Sequence, residues 1–302
     1  MESAIVSNLL AERSIRDALI AGVHRLTAAG IDSARLDAEL LLADALEMSR
    51  EQLVVAQGMS LESGQLASFE SLLRRRLERE PIAYIIGSQE FWSLDFQVCR
   101  DVLIPRPETE KLIEVILAKI GTNASAKPLR IADLGTGSGA IAITLATELP
   151  AAQLVATDIS PAALAIAKDN AATHRVARRI EFRSGDLFEA LSDSRERFDV
   201  IVSNPPYIES AVIPTLAPEV GHWEPRGALD GGRDGLDFYR RIAAEADKFL
   251  APGGLLAVEI GAGLGRSASS LFAAAGRYRS IAVHEDYAGL VRVVTATNAL
   301  SI

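Results

Sequence analysis

The sequence predicts an α/β protein: a mostly parallel β-sheet covered by helices on both faces, with a small helical domain before it. Three observations predict it. From about residue 108 onward, short apolar or β-branched runs alternate with helix-length stretches, the rhythm of a parallel sheet with helical crossovers. Before residue 80 the apolar residues recur at helical rather than alternating spacing. Near the end, two strand-like runs at 281–284 and 291–295 flank a short loop around Gly289, which places an antiparallel strand in the sheet.

The elements follow in order. Residues 1–80 are expected to form a helical domain for substrate or partner recognition. Ser33 is expected to cap a helix bearing Leu36, Leu40, Ala43 and Leu46, and Ser60 one bearing Leu66, Phe69, Leu73 and Leu77. Pro81 marks the end of the second. The run Arg74-Arg75-Arg76 reads as a solvated helix face, because Glu70, Glu78 and Glu80 stand four residues from Arg74 or Arg76. Residues 81–107 read as a linker, extended over 82–104 and forming a β-hairpin, and Cys99 within it as structural. The third segment, 108–302, carries strands at 131–134, 154–157, 180–183, 200–203 and 255–260, and a surface loop at 121–127.

Composition bounds the function. The 302 residues are 49% hydrophobic and 24% charged, with a net charge of −9. Residues 1–80 hold 9 basic and 13 acidic residues and the remainder 22 and 27, so neither part has the basic balance of a protein that grips nucleic acid by its phosphates. One cysteine allows no internal disulfide, and the four histidines lack metal-ligand spacing. No signal-like or membrane-length apolar run is evident. The expectation is a cytoplasmic, monomeric enzyme that uses no metal, membrane or nucleic acid.

The chemistry concentrates at expected strand ends. Gly135-Thr136-Gly137-Ser138-Gly139 follows the first strand, where glycines permit a tight turn and close approach of a ligand to the backbone. The same loop satisfies a relaxed dinucleotide fingerprint. Asp158 ends the second strand, where a carboxylate can accept from both hydroxyls of a ribose. Ser160-Pro161 behind it reads as a helix cap with proline in the first turn. Asp186 follows the third strand at the next tip and reads either as an acceptor for an adenine amino group, with Leu187 or Phe188 against the base, or as a helix cap. Asn204-Pro205-Pro206-Tyr207 then leaves a buried strand. The prolines remove backbone donors, the Asn adds an acceptor and the Tyr a flat face, which together suit a planar –NH2 group. The segment 224–235, rich in glycine and charge, reads as a functional loop.

These residues resemble a known family. Asp133 to Gly139, Asp158 and Asn204 to Tyr207 are together similar to class I methyltransferases that use S-adenosylmethionine. Leu103-Ile-Pro-Arg-Pro-Glu-Thr-Glu110, Glu224-Pro-Arg-Gly-Ala-Leu-Asp-Gly-Gly232 with Asp234-Gly235-Leu236, Arg35 to Leu41 and Pro81 to Gly87 are similar to the HemK/PrmC protein-glutamine N5-methyltransferases. The resemblance covers nearly the whole chain. It implies a Rossmann-like fold with a seven-stranded sheet, S-adenosylmethionine as methyl donor and S-adenosylhomocysteine as product. It further implies the glutamine of the Gly-Gly-Gln motif in peptide-chain release factors as acceptor. Carried over, Gly135 to Gly139 and Asp158 hold the cofactor, with Asp186, Leu187 and Asn204 beside it. Asn204, Pro205, Pro206 and Tyr207 hold the glutamine. Some members carry an aromatic residue where this chain has Leu187, so apolar contact replaces stacking there. Two rivals share parts of the pattern: an adenine-N6 methyltransferase, against which the acidic charge speaks, and a catalytically idle binding scaffold, against which the intact motifs speak. Glu108 and Glu110 shape the cofactor entrance or merely start the next helix.

Overall fold

The computed structural model describes residues 14–121, 128–191 and 196–299, so most of the expected loop at 121–127 lies outside the described residues. The chain divides into two units: residues up to Gly87 together with Pro218–Trp223, and Ser88–Ala217 together with Glu224 onward.

The first unit is helical: α1 (Ile15–Ala28), α2 (Ala34–Ala45), α3 (Arg50–Val55), α4 (Ser63–Leu77), α5 (Ile82–Ile86) and the single turn Pro218–Gly221. Leu26, Leu41, Leu42, Phe69 and Leu73 are its fully buried centre. On α4 the expected stripe holds, with Leu66, Phe69 and Leu73 buried. On α2 it does not. Leu36 is 44% exposed, and Ala34, Ala38, Leu41 and Leu42 turn inward instead, because an alanine-rich helix offers two stripes at helical spacing and only packing selects one. Ser33 stands at the N-cap but its side chain makes no capping bond. Ser60 is no cap either. The helix starts three residues later at Ser63, after Glu62, whose N–H donates to Gln65 Oε1 at 3.0 Å.

Arg76 corrects the reading of the arginine run. It is buried, with Nε 2.7 Å from Asp37 and Nη1 2.8 Å from Glu219. Glu80 pairs with Arg75 instead, at 2.6 Å. The helix-face spacing saw only neighbours along the chain, whereas the partners of Arg76 come from other segments. Residues 82–86 are also helical rather than extended. Pro81, with its fixed φ, precedes α5, and Gly87 at φ +82° ends it.

The second unit begins with a hairpin, β1 (Ser88–Phe91) and β2 (Leu94–Gln97), whose Phe91 and Phe96 enter the main core. A seven-stranded sheet follows: β3 (Arg130–Leu134), β4 (Gln153–Asp158), β5 (Ile180–Ser184), β6 (Phe198–Ser203), β7 (Leu250–Glu259), β8 (Tyr278–Glu285) and β9 (Val291–Asn298), in the order β5-β4-β3-β6-β7-β9-β8. β3 to β7 run parallel to one another. β9 is antiparallel to both β7 and β8. Alternate residues feed two layers, as the period of a strand requires. Ile131, Leu154, Val200 and Val202 pack with α6 (Glu110–Ile120) and α7 (Ala140–Glu148). Ala132, Leu134, Ile201 and Val258 pack with α9 (Asp237–Glu245) and α10 (Gly265–Ala274), where α8 is Pro161–Thr173.

The order reverses at β3: β4 and β5 extend to one side, β6 and β7 to the other. A parallel sheet binds its ligand outside the strand ends at such a point. No helix among the described residues is long and apolar enough to cross a membrane. Ser160 caps α8 as expected, its Oγ accepting from the Ala163 N–H at 3.2 Å with Pro161 next. Ser160→Ala is expected to lower the unfolding free energy by about 1 kcal/mol, read from the urea midpoint at constant slope.

Candidate active site

The glycine loop is held from below. The N–H groups of Gly135 and Thr136 donate to the Thr157 carbonyl at 2.9 and 2.8 Å. Asp158 receives the Gly137 N–H on Oδ2 and the Ser160 N–H on Oδ1, each at 2.9 Å. The Thr136 hydroxyl turns inward and donates to Asp133 at 2.6 Å. Burial pushes the Asp133 carboxyl up to about 7, against the pull of that hydrogen bond. The outer side is open. At Gly135 (φ +73°) and Gly137 (φ +57°) an added Cβ would meet nothing within 4 Å, so a ligand can lie directly on the backbone there. Gly139 differs: its Cβ would strike Ile143 at 2.8 Å and Ala167 at 3.2 Å, so it serves the packing of α7 on α8. Ser138 is buried, and its carbonyl accepts from Asn170 at 2.9 Å.

The segment Asn204 to Tyr207 starts beside this loop. Ser203, last in β6, pairs with Leu134, last in β3, and its hydroxyl donates to the Leu134 carbonyl at 2.7 Å. Asn204 is the next residue. Its Nδ2 donates to Thr109 Oγ1 at 3.1 Å, which aims Oδ1 the other way with no donor from the described residues. Pro205 is buried and Pro206 and Tyr207 half-buried. The Tyr207 ring lies against Gly261, where a Cβ would come within 2.8 Å of Cδ2. Burial, first, and the neighbouring Glu259 push the phenol up to about 12, so it stays protonated.

The two long signatures meet around it. Arg106 of the first is ion-paired with the buried Glu224 of the second. Burial raises the Glu224 carboxyl above its usual range, against the pull of Arg106. The 224–236 loop then runs alongside the segment after Tyr207. The Ile208 N–H donates to the Leu229 carbonyl at 2.9 Å, and the Gly231 N–H to the Ile208 carbonyl at 2.8 Å. Glu110 accepts from the Trp92 N–H at 2.8 Å and so ties the hairpin to α6. Glu108 is near Arg292, at 3.9 Å.

Comparison with known proteins decides the family. A model described as the PrmC N-terminal domain matches residues 17–87, and one described as the methyltransferase small domain matches 110–218. A release factor glutamine methyltransferase of Cereibacter sphaeroides is 48% identical, over 93% of this chain and 97% of that protein. One of Geobacter sulfurreducens is 45% identical, over 88% and 90%. The chain belongs to the release factor glutamine methyltransferase family. It is an S-adenosylmethionine-dependent methyltransferase of class I fold. A solved methyltransferase from Pyrococcus furiosus shares that fold, with a TM-score of 0.51 at 17% identity over 76% of this chain and 100% of that one.

In this methyltransferase the remaining expected residues take definite places. Asp186 pairs with Arg241 of α9 at 2.9 Å, so its carboxylate has a cationic partner of its own. Leu187 is 7% exposed and packs into the core with Phe188, on a left-handed backbone of φ +50°. One carboxylate escaped the sequence reading. Glu259 ends β7 and is 1% exposed. Burial pushes it up to about 7. The polar hydroxyls of Thr109 and Tyr207 and the charge of Arg292 act against that rise, while the charge of Glu108 adds to it, and Oε2 has no hydrogen-bond partner. The signal for it was present: a lone acid inside the apolar run 255–260.

Proposed function

We propose that this chain transfers the methyl group of S-adenosylmethionine to the side-chain nitrogen, N5, of the glutamine in the Gly-Gly-Gln motif of peptide-chain release factors. The observation that carries the reading is the orientation of Asn204. Thr109 takes its Nδ2–H, so the acceptor Oδ1 is left for a ligand at the strand tip beside the open glycine loop. The names of the Cereibacter and Geobacter relatives support the same acceptor.

Gly135 to Gly139 and Asp158 would hold the cofactor, with Asp186, Leu187 and Asn204 at its edge. The open backbone at Gly135 and Gly137 fits such a group. When bound, S-adenosylmethionine supplies a methyl group already activated by its sulfonium. The acceptor is the harder partner, because an amide nitrogen delocalises its lone pair into the carbonyl. Asn204 Oδ1 and the Pro205 carbonyl each accept one hydrogen of the glutamine –NH2. That fixes the nitrogen and favours its pyramidal form as positive charge develops. Tyr207, neutral and braced on Gly261, flanks the amide plane. Alignment of this kind lowers a barrier by about 7–11 kcal/mol in the best intramolecular cases. The nitrogen loses its proton readily after transfer, so no base is needed before it. The helical unit serves to recognise the release factor.

The test supplies labelled S-adenosylmethionine with a release factor, with the same factor carrying Gln→Ala in its Gly-Gly-Gln motif, and with duplex DNA. Label is expected in the first alone. Label in the DNA, or undiminished label in the Gln→Ala factor, would overturn the reading.

A further inference from the structure

We infer that Asn170 is a positioning residue for the cofactor loop: its side-chain amide clamps the Ser138 carbonyl to the β1–β2 hairpin, so that the hairpin contributes to S-adenosylmethionine affinity. The inference rests on the proposed seat of the cofactor at Gly135 to Gly139 and adds to it what holds that seat in shape.

Asn170 lies on α8 and is 2% exposed. An asparagine amide carries two N–H donors and an oxygen with two lone pairs. Nδ2 donates to the Ser138 carbonyl at 2.9 Å and to the Gln97 carbonyl at 3.0 Å, and Oδ1 accepts from the Gln97 N–H at 2.8 Å. Both backbone groups of Gln97, the last residue of β2, thus go to one side chain. Reversing the amide would set donor against donor at the Gln97 N–H and acceptor against acceptor at the Ser138 carbonyl, so its orientation is fixed. The helix comes this close because the buried residues around Asn170 are small: Ala163, Ala167 and Ala171. A Cβ on Gly139 would already stand 3.2 Å from Ala167, one turn before Asn170.

The Ser138 carbonyl sets the plane of the next peptide, because a planar trans peptide points its C=O and N–H opposite ways. With that carbonyl on Asn170, the Gly139 N–H meets the Thr136 carbonyl at 2.9 Å. The start of the loop is held separately, by Thr157 and Asp158. The two anchors together shape the stretch whose backbone at Gly135 and Gly137 is open to a ligand. Three glycines leave that stretch soft on its own, so each anchor counts. The hairpin is a firm base for the second one. Trp92 at its turn gives its backbone N–H to Glu110 and its Nε1–H to Glu148 of α7, each at 2.8 Å. His174, at the end of α8, meets the Asp95 carbonyl with Nε2 at 2.8 Å. This last tie joins the hairpin to α8 alone, which makes His174 the control for Asn170.

Calorimetry of S-adenosylhomocysteine binding to the full chain tests this. Asn170→Asp keeps an acceptor for the Gln97 N–H but turns an oxygen toward the Ser138 carbonyl. It is expected to weaken binding about tenfold, the usual weight of one buried polar group left unpaired. Asn170→Ala should weaken it at least as much. The KM for S-adenosylmethionine should rise in step, with kcat at saturating cofactor close to that of the unmodified enzyme, because Asn204 follows a strand tip anchored through Ser203 and Leu134. His174→Ala is expected to lose stability and keep its affinity. Coupling between sites is reciprocal. In the unmodified enzyme, S-adenosylhomocysteine should therefore slow hydrogen exchange at the Gln97 N–H as well as in the glycine loop, a result that needs no variant to fold. Unchanged affinity in folded Asn170→Asp, an equal loss in His174→Ala, or protection confined to the loop would each overturn the inference. Asp158→Ala in the same calorimetry separates it from the reading beneath it. Binding lost there but kept in Asn170→Asp removes the role of Asn170 alone, whereas unchanged binding in Asp158→Ala removes the cofactor seat and the inference with it.

Discussion

Asn204→Ala is expected to lower kcat by about 10²–10³-fold, the loss typical when one preorganised hydrogen-bonding group aimed at the reacting atom is removed. S-adenosylmethionine affinity, measured by calorimetry, should stay close to that of the unmodified enzyme. The separation follows from what holds each ligand. The glycine loop, proposed to hold the cofactor, is fixed by Thr157 and Asp158, neither of which contacts the Asn204 side chain through a hydrogen bond. The variant also leaves the strand tip in place, because Ser203 is anchored to Leu134 through its own hydroxyl. The loss should therefore appear in kcat rather than in cofactor binding or folding. Asn204→Asp makes a sharper comparison. It keeps an acceptor oxygen but gives Thr109 no N–H. Near-normal turnover in Asn204→Ala would exclude the amide clamp.

How much of this was legible follows from the range of each interaction. The glycine loop, Asp158 and Ser160-Pro161 are local: turn, cap and strand end lie within a few residues, so their placement follows from residue types in order. Asn204 to Tyr207 was legible for the same reason. Long-range partners were not. Arg76 has glutamates at helical spacing, yet it pairs with Asp37 and Glu219 on other segments. Glu259 and Thr109 both stood in view, one in a strand and one between two more conspicuous acids. Glu259 comes beside the Asn204 segment only because β7 lies next to β6, and Thr109 meets Asn204 only because the turn before α6 reaches that strand tip. The helix at 82–86 was missed because five apolar and aromatic residues fit a strand as well as one helical turn. The 224–236 signature was recognisable as a motif without its physical reason being readable. That reason is the backbone of Tyr207.

Gly235→Ala tests that reason, and it is expected to cut kcat by about 10²-fold, the cost of displacing a positioned group by roughly 1 Å. At Gly235, φ is +71° and an added Cβ would come within 2.4 Å of the Tyr207 carbonyl oxygen. A backbone atom cannot swing aside as a side-chain tip can. Either the 224–236 loop lifts or Tyr207 shifts away from Gly261, and both disturb the surface offered to the substrate amide. Gly231→Ala attacks the same place from a neighbouring position, with its Cβ 2.6 Å from Tyr207 Cα. Backbone strain alone must be separated from this effect. Gly253→Ala supplies the control: its φ is +70°, but a Cβ there meets nothing within 4 Å. It should lose about 1–2 kcal/mol of stability for the left-handed conformation and keep its kcat. Gly235→Ala should lose that much stability and turnover as well. Equal kcat in the two variants would mean that the loop is a connection and that its glycines serve the chain path rather than the fit against Tyr207.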